Sequence, residues 1–279
     1  MSMQVDAPAP PAGSEASLQN LRSSRLRSAT RTWWLSLISF PFAIAAWQMA
    51  AAINDNKLVL PGPWEVAKEL VSERSTLIAN LKPTAYETVV GFLIALAAGV
   101  LVGVVLGNSR FLQSIFMPFI VVFQLVPKVA LAPLFIVWFG FGNQPKILLT
   151  VLISFFPIVI NAFAGVQSMT SEQRELAALL RFSRWKTFRH IQARVALPAL
   201  FNGLKVAITL AVIGAVVAEF VAADRGLGYL LVVTQTNLNT PLMFAAVVLL
   251  TAFGAVLYAL VVLAERLAIP WHVSRRADR

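Results

Sequence analysis

Charged side chains within or beside apolar stretches are the residues of this sequence most able to do chemistry. Lys128, Glu219 and Glu87 each interrupt or border such a stretch, and a charge in hydrocarbon is costly enough to suggest a functional site. Lys128 either lines a water-filled path or extends its amine to the membrane surface. Glu219 either lines the same path or pairs locally with Arg225 or backbone donors, and we expect Glu87 at the membrane interface.

Other signatures of catalysis are missing from the sequence. It has no cysteine, and its two histidines, His190 and His272, lie far apart in basic segments, which argues against thiolate chemistry and a metal cluster. It contains no G-x-x-x-x-G-K-[ST] loop to cradle phosphates, no G-x-G-x-x-G and no G-x-S-x-G. We therefore expect no catalytic residue, no metal site and no cofactor in this chain.

Composition predicts that membrane helices position these charges. Of the 279 residues, 58% are hydrophobic and 13% are charged, and the mean hydropathy is +0.74, whereas soluble domains are about 45–50% apolar and about 25% charged. An all-α membrane protein with six transmembrane helices is predicted, because a helix needs about 20 apolar residues to cross a bilayer. The predicted spans carry few or no charges and lie at residues 33–51, 88–107, 111–141, 147–164, 195–223 and 242–264.

The third of these stretches is too long for one plain span. Pro118, Pro127 and Pro133 interrupt it, together with Lys128. Proline removes a backbone donor and bends a helix, so we expect a broken helix followed by a re-entrant or interfacial piece.

Basic residues predict the orientation of the chain. Most of the 23 lysines and arginines lie before the first span and after the second, fourth and sixth. Cytoplasmic loops are enriched in these residues, so both termini are predicted to be cytoplasmic. The net charge of +10 then reflects orientation and does not indicate a nucleic-acid partner. The predicted organisation is a disordered basic arm at 1–32, a transmembrane domain at 33–268 and a basic tail at 269–279.

One cytoplasmic segment, residues 169–198, combines apolar, aromatic and basic side chains. Leu176, Leu179 and Trp185 are interleaved with arginines such as Arg184. Such a helix either inserts into a groove on another protein or lies on the anionic inner leaflet. Its composition does not separate these two interpretations.

Five short motifs occur in order along the chain: Leu60-Pro61-Gly62-Pro63-Trp64, Ala130-Leu131-Ala132-Pro133-Leu134, Trp138-Phe139-Gly140-Phe141-Gly142, Ala218-Glu219-Phe220 and Gly226-Leu227-Gly228-Tyr229-Leu230. Together they resemble the membrane permease subunits of binding-protein-dependent ABC importers, in the nitrate/sulfonate/taurine branch. The resemblance extends from about Leu60 to Glu265, roughly three quarters of the chain.

The same resemblance maps the family's cytoplasmic EAA loop onto the segment at 169–198. Glu175 matches its glutamate, Leu176 replaces its first alanine, and Arg181 stands at its turn glycine. Because glycine adopts backbone angles that arginine resists, either this turn uses ordinary angles or the loop docks differently. The residues that the resemblance assigns to ATPase coupling, here named the coupling loop, are Glu175, Leu176, Ala177, Ala178, Arg181, Phe182, Ser183, Arg184 and Trp185.

The resemblance implies a type I ABC importer permease in the bacterial cytoplasmic (inner) membrane. Its expected partners are separate ABC ATPase subunits, a periplasmic or lipid-anchored substrate-binding protein, a second permease copy in a homodimer, and membrane lipid. It further implies a small, nitrate-, sulfonate- or taurine-like solute, with ATP hydrolysis on the ATPase subunits and not on this chain.

The main alternative is a stand-alone secondary transporter or channel that uses Lys128 and Glu219 in its path. It predicts transport driven by an ion gradient without any ATPase. We expect no dense polar network within the membrane, and this expectation disfavours the alternative.

Overall fold

The computed structural model describes Ser39 and residues 41–53 and 59–270. Within these residues every regular element is a helix, which confirms the all-α prediction for the part of the chain described. The residues divide into two compact units at Trp64. The first contains helix α1, Pro41–Ile53, and there the Trp47 indole donates a hydrogen bond of 3.1 Å to the Pro61 carbonyl. The arm at 1–32, part of the span predicted at 33–51 and nearly all of the tail lie outside the described residues.

The remaining helices follow one another with short connections. They are α2 Pro63–Ser72, α3 Arg74–Asn108, α4 Arg110–Leu125, α5 Ala132–Phe139, α6 Asn143–Gln167, α7 Ser171–Leu179, α8 Arg184–Thr187, α9 Ala193–Ala222, α10 Leu227–Thr236 and α11 Thr240–Ala268. A 3₁₀ turn, Lys128–Leu131, precedes α5, and a π-helical turn, Phe188–Gln192, joins α8 to α9.

Long apolar helices occur where four of the spans were predicted, at 88–107, 147–164, 195–223 and 242–264. They are α3, α6, α11 and the continuous run from α8 into α9, Arg184–Val221. The predicted break in 111–141 is also confirmed, because the helical pieces Arg110–Leu125 and Lys128–Phe139 meet at 84°. The described residues thus contain four helices that are long and apolar enough to cross a membrane, or five when the bent pair is one span.

Helices α3, α6 and α9 form the core that positions the charged residues. Ala95, Ile158 and Ala207, one from each helix, are completely buried. Glycines on one face of α3 let α6 approach closely: a Cβ at Gly91 or Gly103 would lie 2.5–2.6 Å from a side-chain atom of α6. Such small-residue contacts are typical of membrane helices, whose association depends on close van der Waals packing.

Candidate functional site

Two clusters could carry function: the coupling loop at one end of the α8–α9 run and a group of buried charges near its other end. The coupling loop begins at a well-defined helix start. The Thr170 hydroxyl accepts from the Gln173 N–H at 3.4 Å, and the Gln173 side chain accepts from the Thr170 N–H at 3.1 Å. This reciprocal capping box satisfies two N–H groups that a helix start leaves free. Hydrogen bonds from Thr170, from its own backbone and from Ser171 hold the pKa of Glu172 below its usual range.

The turn after α7 keeps the geometry that glycine normally provides. Arg181 has a φ of 50°. Its N–H donates to the Ala178 carbonyl at 2.9 Å, and the Phe182 N–H donates to the Ala177 carbonyl at 3.0 Å. This is the Schellman arrangement, in which the left-handed residue is usually glycine. Of the two alternatives that the sequence left open, a turn with ordinary angles is therefore wrong, and arginine adopts a conformation that costs roughly 1–2 kcal/mol.

We predict that Arg181→Gly stabilises the coupling loop. Glycine adopts positive φ without strain, so the folded chain should gain about 1 kcal/mol at this turn. Hydrogen exchange of the α7 amides in the solubilised protein should become slower. As a matched control, Arg184→Gly, at the first residue of α8, should not protect α7. Faster exchange in Arg181→Gly would mean that the Arg181 side chain itself stabilises the loop.

On both sides of the turn, the loop exposes apolar side chains beside basic ones. Leu179 is 82% exposed and Trp185 is 67% exposed, whereas Ala177 is buried. The Trp185 ring stacks on Phe188 with centroids 5.9 Å apart, and a cavity of about 810 Å³ opens beside these rings. The remaining coupling-loop residues lie in the same segment: Glu175, Leu176, Ala178 and Arg184 are exposed, Phe182 contributes to the cavity wall, and Ser183 accepts from the Lys186 N–H at 3.3 Å to cap α8.

Lys128 lies at the break between α4 and α5. Its ammonium group donates to the Gln124 carbonyl at 2.7 Å and lies 4.8 Å from the centre of the Phe156 ring. The carbonyl belongs to the last turn of α4, where a cation is favourable, and the ring face attracts the same charge. Lys128 is half-buried, so its charge is partly accessible to solvent.

Glu219 is 1% exposed and does not meet Lys128 in any hydrogen bond or ion pair among the described residues. One of its carboxylate oxygens accepts from the Thr84 hydroxyl at 2.6 Å, and the other accepts from the Gly228 N–H at 2.6 Å. Of the two kinds of partner considered from the sequence, Arg225 and backbone donors, Glu219 has a backbone donor, the Gly228 N–H. Arg225, the other suggested partner, is exposed and lies 3.7 Å from Asp224.

A buried ion pair lies beside Glu219. Glu87 on α3 and Lys146 on α6 form a salt bridge, with side chains 0% and 2% exposed, and both act electrostatically on Glu219. The Glu87 side chain is enclosed between helices, and its position at the membrane interface stays a prediction. Thr84, Glu87, Lys146 and Glu219 form a buried polar cluster across α3, α6 and α9, which the sequence did not lead us to expect.

The sequence did not reveal this pairing because Glu87 and Lys146 each lie just before a predicted span, 88–107 and 147–164, and these spans are far apart along the chain. Neither apolar length nor spacing along the chain signals a contact between two such helices. The sequence did carry one signal: a charged side chain in or beside an apolar stretch is costly. This cost predicts that Glu87 has a partner but does not identify the partner.

The fold and both clusters define a class: a polytopic helical membrane protein with a structured, exposed loop between two of its long helices. A family model described as "Binding-protein-dependent transport system inner membrane component" matches residues 95–269. The chain belongs to this family, which confirms the resemblance to ABC importer permeases and shows that the chain is a transport subunit and not an enzyme.

Individual relatives cover most of the chain. It is 35% identical over 258 residues to the riboflavin transport system permease protein RibX of Chloroflexus aurantiacus, covering 90% of this chain and 96% of that protein. It is 30% identical over 246 residues to the putative aliphatic sulfonates transport permease protein SsuC of Bacillus subtilis, covering 87% of this chain and 89% of that protein. The similarity to SsuC is consistent with the predicted nitrate/sulfonate/taurine branch.

The fold matches that of a solved importer. An inward-facing structure of the MetNI methionine ABC transporter aligns with a TM-score of 0.62 and 18% identity, covering 71% of this chain and 98% of that chain. At this level of identity the match supports the fold alone, and that fold is of the ABC importer permease type.

Proposed function

We propose that this permease forms the path for a small anionic solute and couples to its ATPase through the coupling loop. The family implies an ATPase and a substrate-binding protein as partners. The observation that carries the coupling role is the exposure of Leu179 and Trp185 on a loop that is capped and rigidly turned. Apolar anchors on a preorganised element suit a protein groove, because little conformational entropy is lost on binding.

The arrangement of these anchors favours a protein partner over the inner leaflet. Leu179 and Trp185 belong to different short helices, α7 and α8, separated by the left-handed turn at Arg181. A helix that lies on a membrane usually presents one long apolar face, whereas this segment presents two short faces. We therefore infer that a groove on the ATPase receives the loop.

We further propose six spans with both termini cytoplasmic in the bacterial inner membrane. Helix α1 would belong to the first span. The bent α4–α5 pair would form the third span, and α10 is too short to cross alone. A second copy of the chain would complete the path as a homodimer.

Lys128 and Glu219 are the proposed path residues, and their contacts favour Lys128 for contact with solute. Its partly accessible charge at a helix break suits an oxyanion, and the sulfonate permease relative supports this class of solute. Glu219 is buried with both oxygens engaged, so we infer that it supports the path without contacting solute.

Co-purification tests the proposed function. Tagged permease, solubilised gently from its native membranes, is expected to recover an ATPase with a Walker A loop. The ATPase should be lost when residues 175–190 are deleted and should be retained in Arg225→Gln, an exposed position outside the loop. Recovery of the permease alone, from membranes in which a known transporter complex stays intact, would instead support the stand-alone transporter.

A further inference from the structure

The coupling loop and Glu219 lie near opposite ends of one helix. The helical run Arg184–Val221 contains 38 residues, or about 57 Å at 1.5 Å per residue. Arg184 belongs to the coupling loop, and Glu219 lies two residues before the other end of the run. Two irregularities lie between them, the π-helical turn at Phe188–Gln192 and Pro198 inside α9, and π-helical turns often mark functional positions.

Near the Val221 end of this run, side chains of α3 and α9 accept hydrogen bonds from the start of α10. The N–H groups of three consecutive residues each have a side-chain acceptor: Gly226 donates to Asn80 at 2.9 Å, Leu227 to the Thr84 hydroxyl at 2.8 Å, and Gly228 to the Glu219 carboxylate at 2.6 Å. A helix start carries a partial positive charge, so the carboxylate is well placed there. Asn80 and Thr84 are on α3, whereas Glu219 is on α9.

The close approach of Glu219 depends on two glycines. A Cβ at Gly228 would lie 2.8 Å from a Glu219 carboxylate oxygen, and one at Gly226 would also overlap the carboxyl group. Gly226 has a φ of 123°, a conformation open mainly to glycine. The Gly226-Leu227-Gly228 motif therefore has a physical role: it leaves room for a carboxylate against the start of α10.

We propose that Glu219 is a positioning residue that transmits movement of the coupling loop to α10. This proposal rests on the proposed coupling role of the loop. The helical run is continuous through its π-helical turn and Pro198, so we infer that a displacement at Arg184 moves Glu219 as well. Because Glu219 binds the Gly228 N–H and the Thr84 hydroxyl together, its movement must either shift α10 or change the junction of α9 with α3.

The proposal is specific to Glu219 among the acidic groups nearby. Glu87 is engaged by Lys146, and Asp224 is 86% exposed and faces Arg225. Neither makes a hydrogen bond to α10 among those found in the described residues. Among the acidic residues that the structure describes, only Glu219 lies on the run from the coupling loop and also accepts a hydrogen bond from the start of α10.

A cysteine reporter on α10 tests this transmission. The chain has no cysteine, so Gln235→Cys, at an exposed position near the end of α10, introduces a single thiol. Its labelling rate by a soluble maleimide is measured in the permease–ATPase complex without nucleotide and with a non-hydrolysable ATP analogue. We expect the analogue to change the rate several-fold, and we expect that change to be lost when Glu219→Ala is added.

Two conservative variants and one control separate transmission from general damage. Glu219→Gln preserves an acceptor for Gly228 and supplies a donor for Thr84, so the nucleotide-dependent change should return. Glu219→Asp keeps the charge, but its carboxylate is one methylene shorter and no longer reaches the Gly228 N–H. The nucleotide-dependent change in labelling rate should therefore be lost, and this variant tests the proposal even where Glu219→Ala folds poorly. Thr209→Val, on the same helix with a hydroxyl bonded only to the Lys205 carbonyl of that helix, should behave as the parent.

The labelling rates decide whether Glu219 transmits the movement. A nucleotide-dependent change that persists in both Glu219→Ala and Glu219→Asp overturns the proposal, as does a labelling rate that nucleotide never alters in the parent complex. Recovery of the ATPase is scored in the same samples and reports on the coupling loop separately. Retained ATPase with a lost α10 response is the expected result.

Discussion

Permease carrying Leu179→Ser and Trp185→Ser is expected to lose its ATPase during purification and to lose ATP-dependent uptake. Both side chains are largely exposed on the coupling loop, and buried interface anchors contribute about 2 kcal/mol or more each. Losing two such anchors should weaken binding by about 4 kcal/mol, or roughly a thousand-fold. Co-purification at a fixed ATPase concentration, followed by uptake in vesicles, measures both effects.

A matched pair of substitutions controls for the general cost of removing exposed apolar residues. Val137→Ser and Trp138→Ser alter an aliphatic residue and a tryptophan on α5 that are 80% and 62% exposed. They should leave ATPase recovery unchanged. Loss of the ATPase from this control together with its retention in the coupling-loop variant would contradict the proposed docking site.

Sequence was sufficient for features that depend on local properties. The length of an apolar stretch determines whether a helix can cross a bilayer, so α3, α6, α9 and α11 were found from the chain alone. The break between α4 and α5 was signalled by Pro127 and its neighbours, because proline acts on its own turn. The family match likewise confirmed the family resemblance, which was based on short motifs read in order along the chain.

The missing features depend on contacts between distant residues. Glu219 and Thr84 are 135 positions apart, and no periodicity relates Glu87 to Lys146. Arg181 is an intermediate case: its place at the turn was evident from the sequence, but its φ of 50° follows from hydrogen bonds that close the end of α7. Those bonds persist because they satisfy two carbonyls that would otherwise lack donors.

The buried ion pair should have a large effect on stability when only one partner is removed. Glu87→Ala leaves the Lys146 ammonium enclosed without its carboxylate, which costs about 3–5 kcal/mol. The reverse change, Lys146→Ala, leaves Glu87 uncompensated at a similar cost. We expect either variant to lower the unfolding temperature of the solubilised permease strongly and to reduce its amount in the membrane.

A second ion pair in the same bundle provides the comparison that identifies burial as the cause. Lys205 on α9 and Glu265 on α11 lie 2.6 Å apart, but each side chain is 22% exposed. Neither group is fully enclosed by the protein, so Glu265→Ala should cost less than Glu87→Ala. Equal losses in Glu87→Ala and Glu265→Ala would show that burial does not set the cost.

The double variant Glu87→Leu with Lys146→Met distinguishes two cases. In the first, the ion pair gives the fold net stability; in the second, each charge only compensates the cost of burying the other. Replacing both charges with apolar groups removes the desolvation cost along with the attraction, and such exchanges are often neutral or stabilising. We therefore expect the double variant to recover most of the stability lost by either single change. Recovered stability without recovered uptake would assign the pair a role in transport, since its charge would then be needed for movement and not for folding.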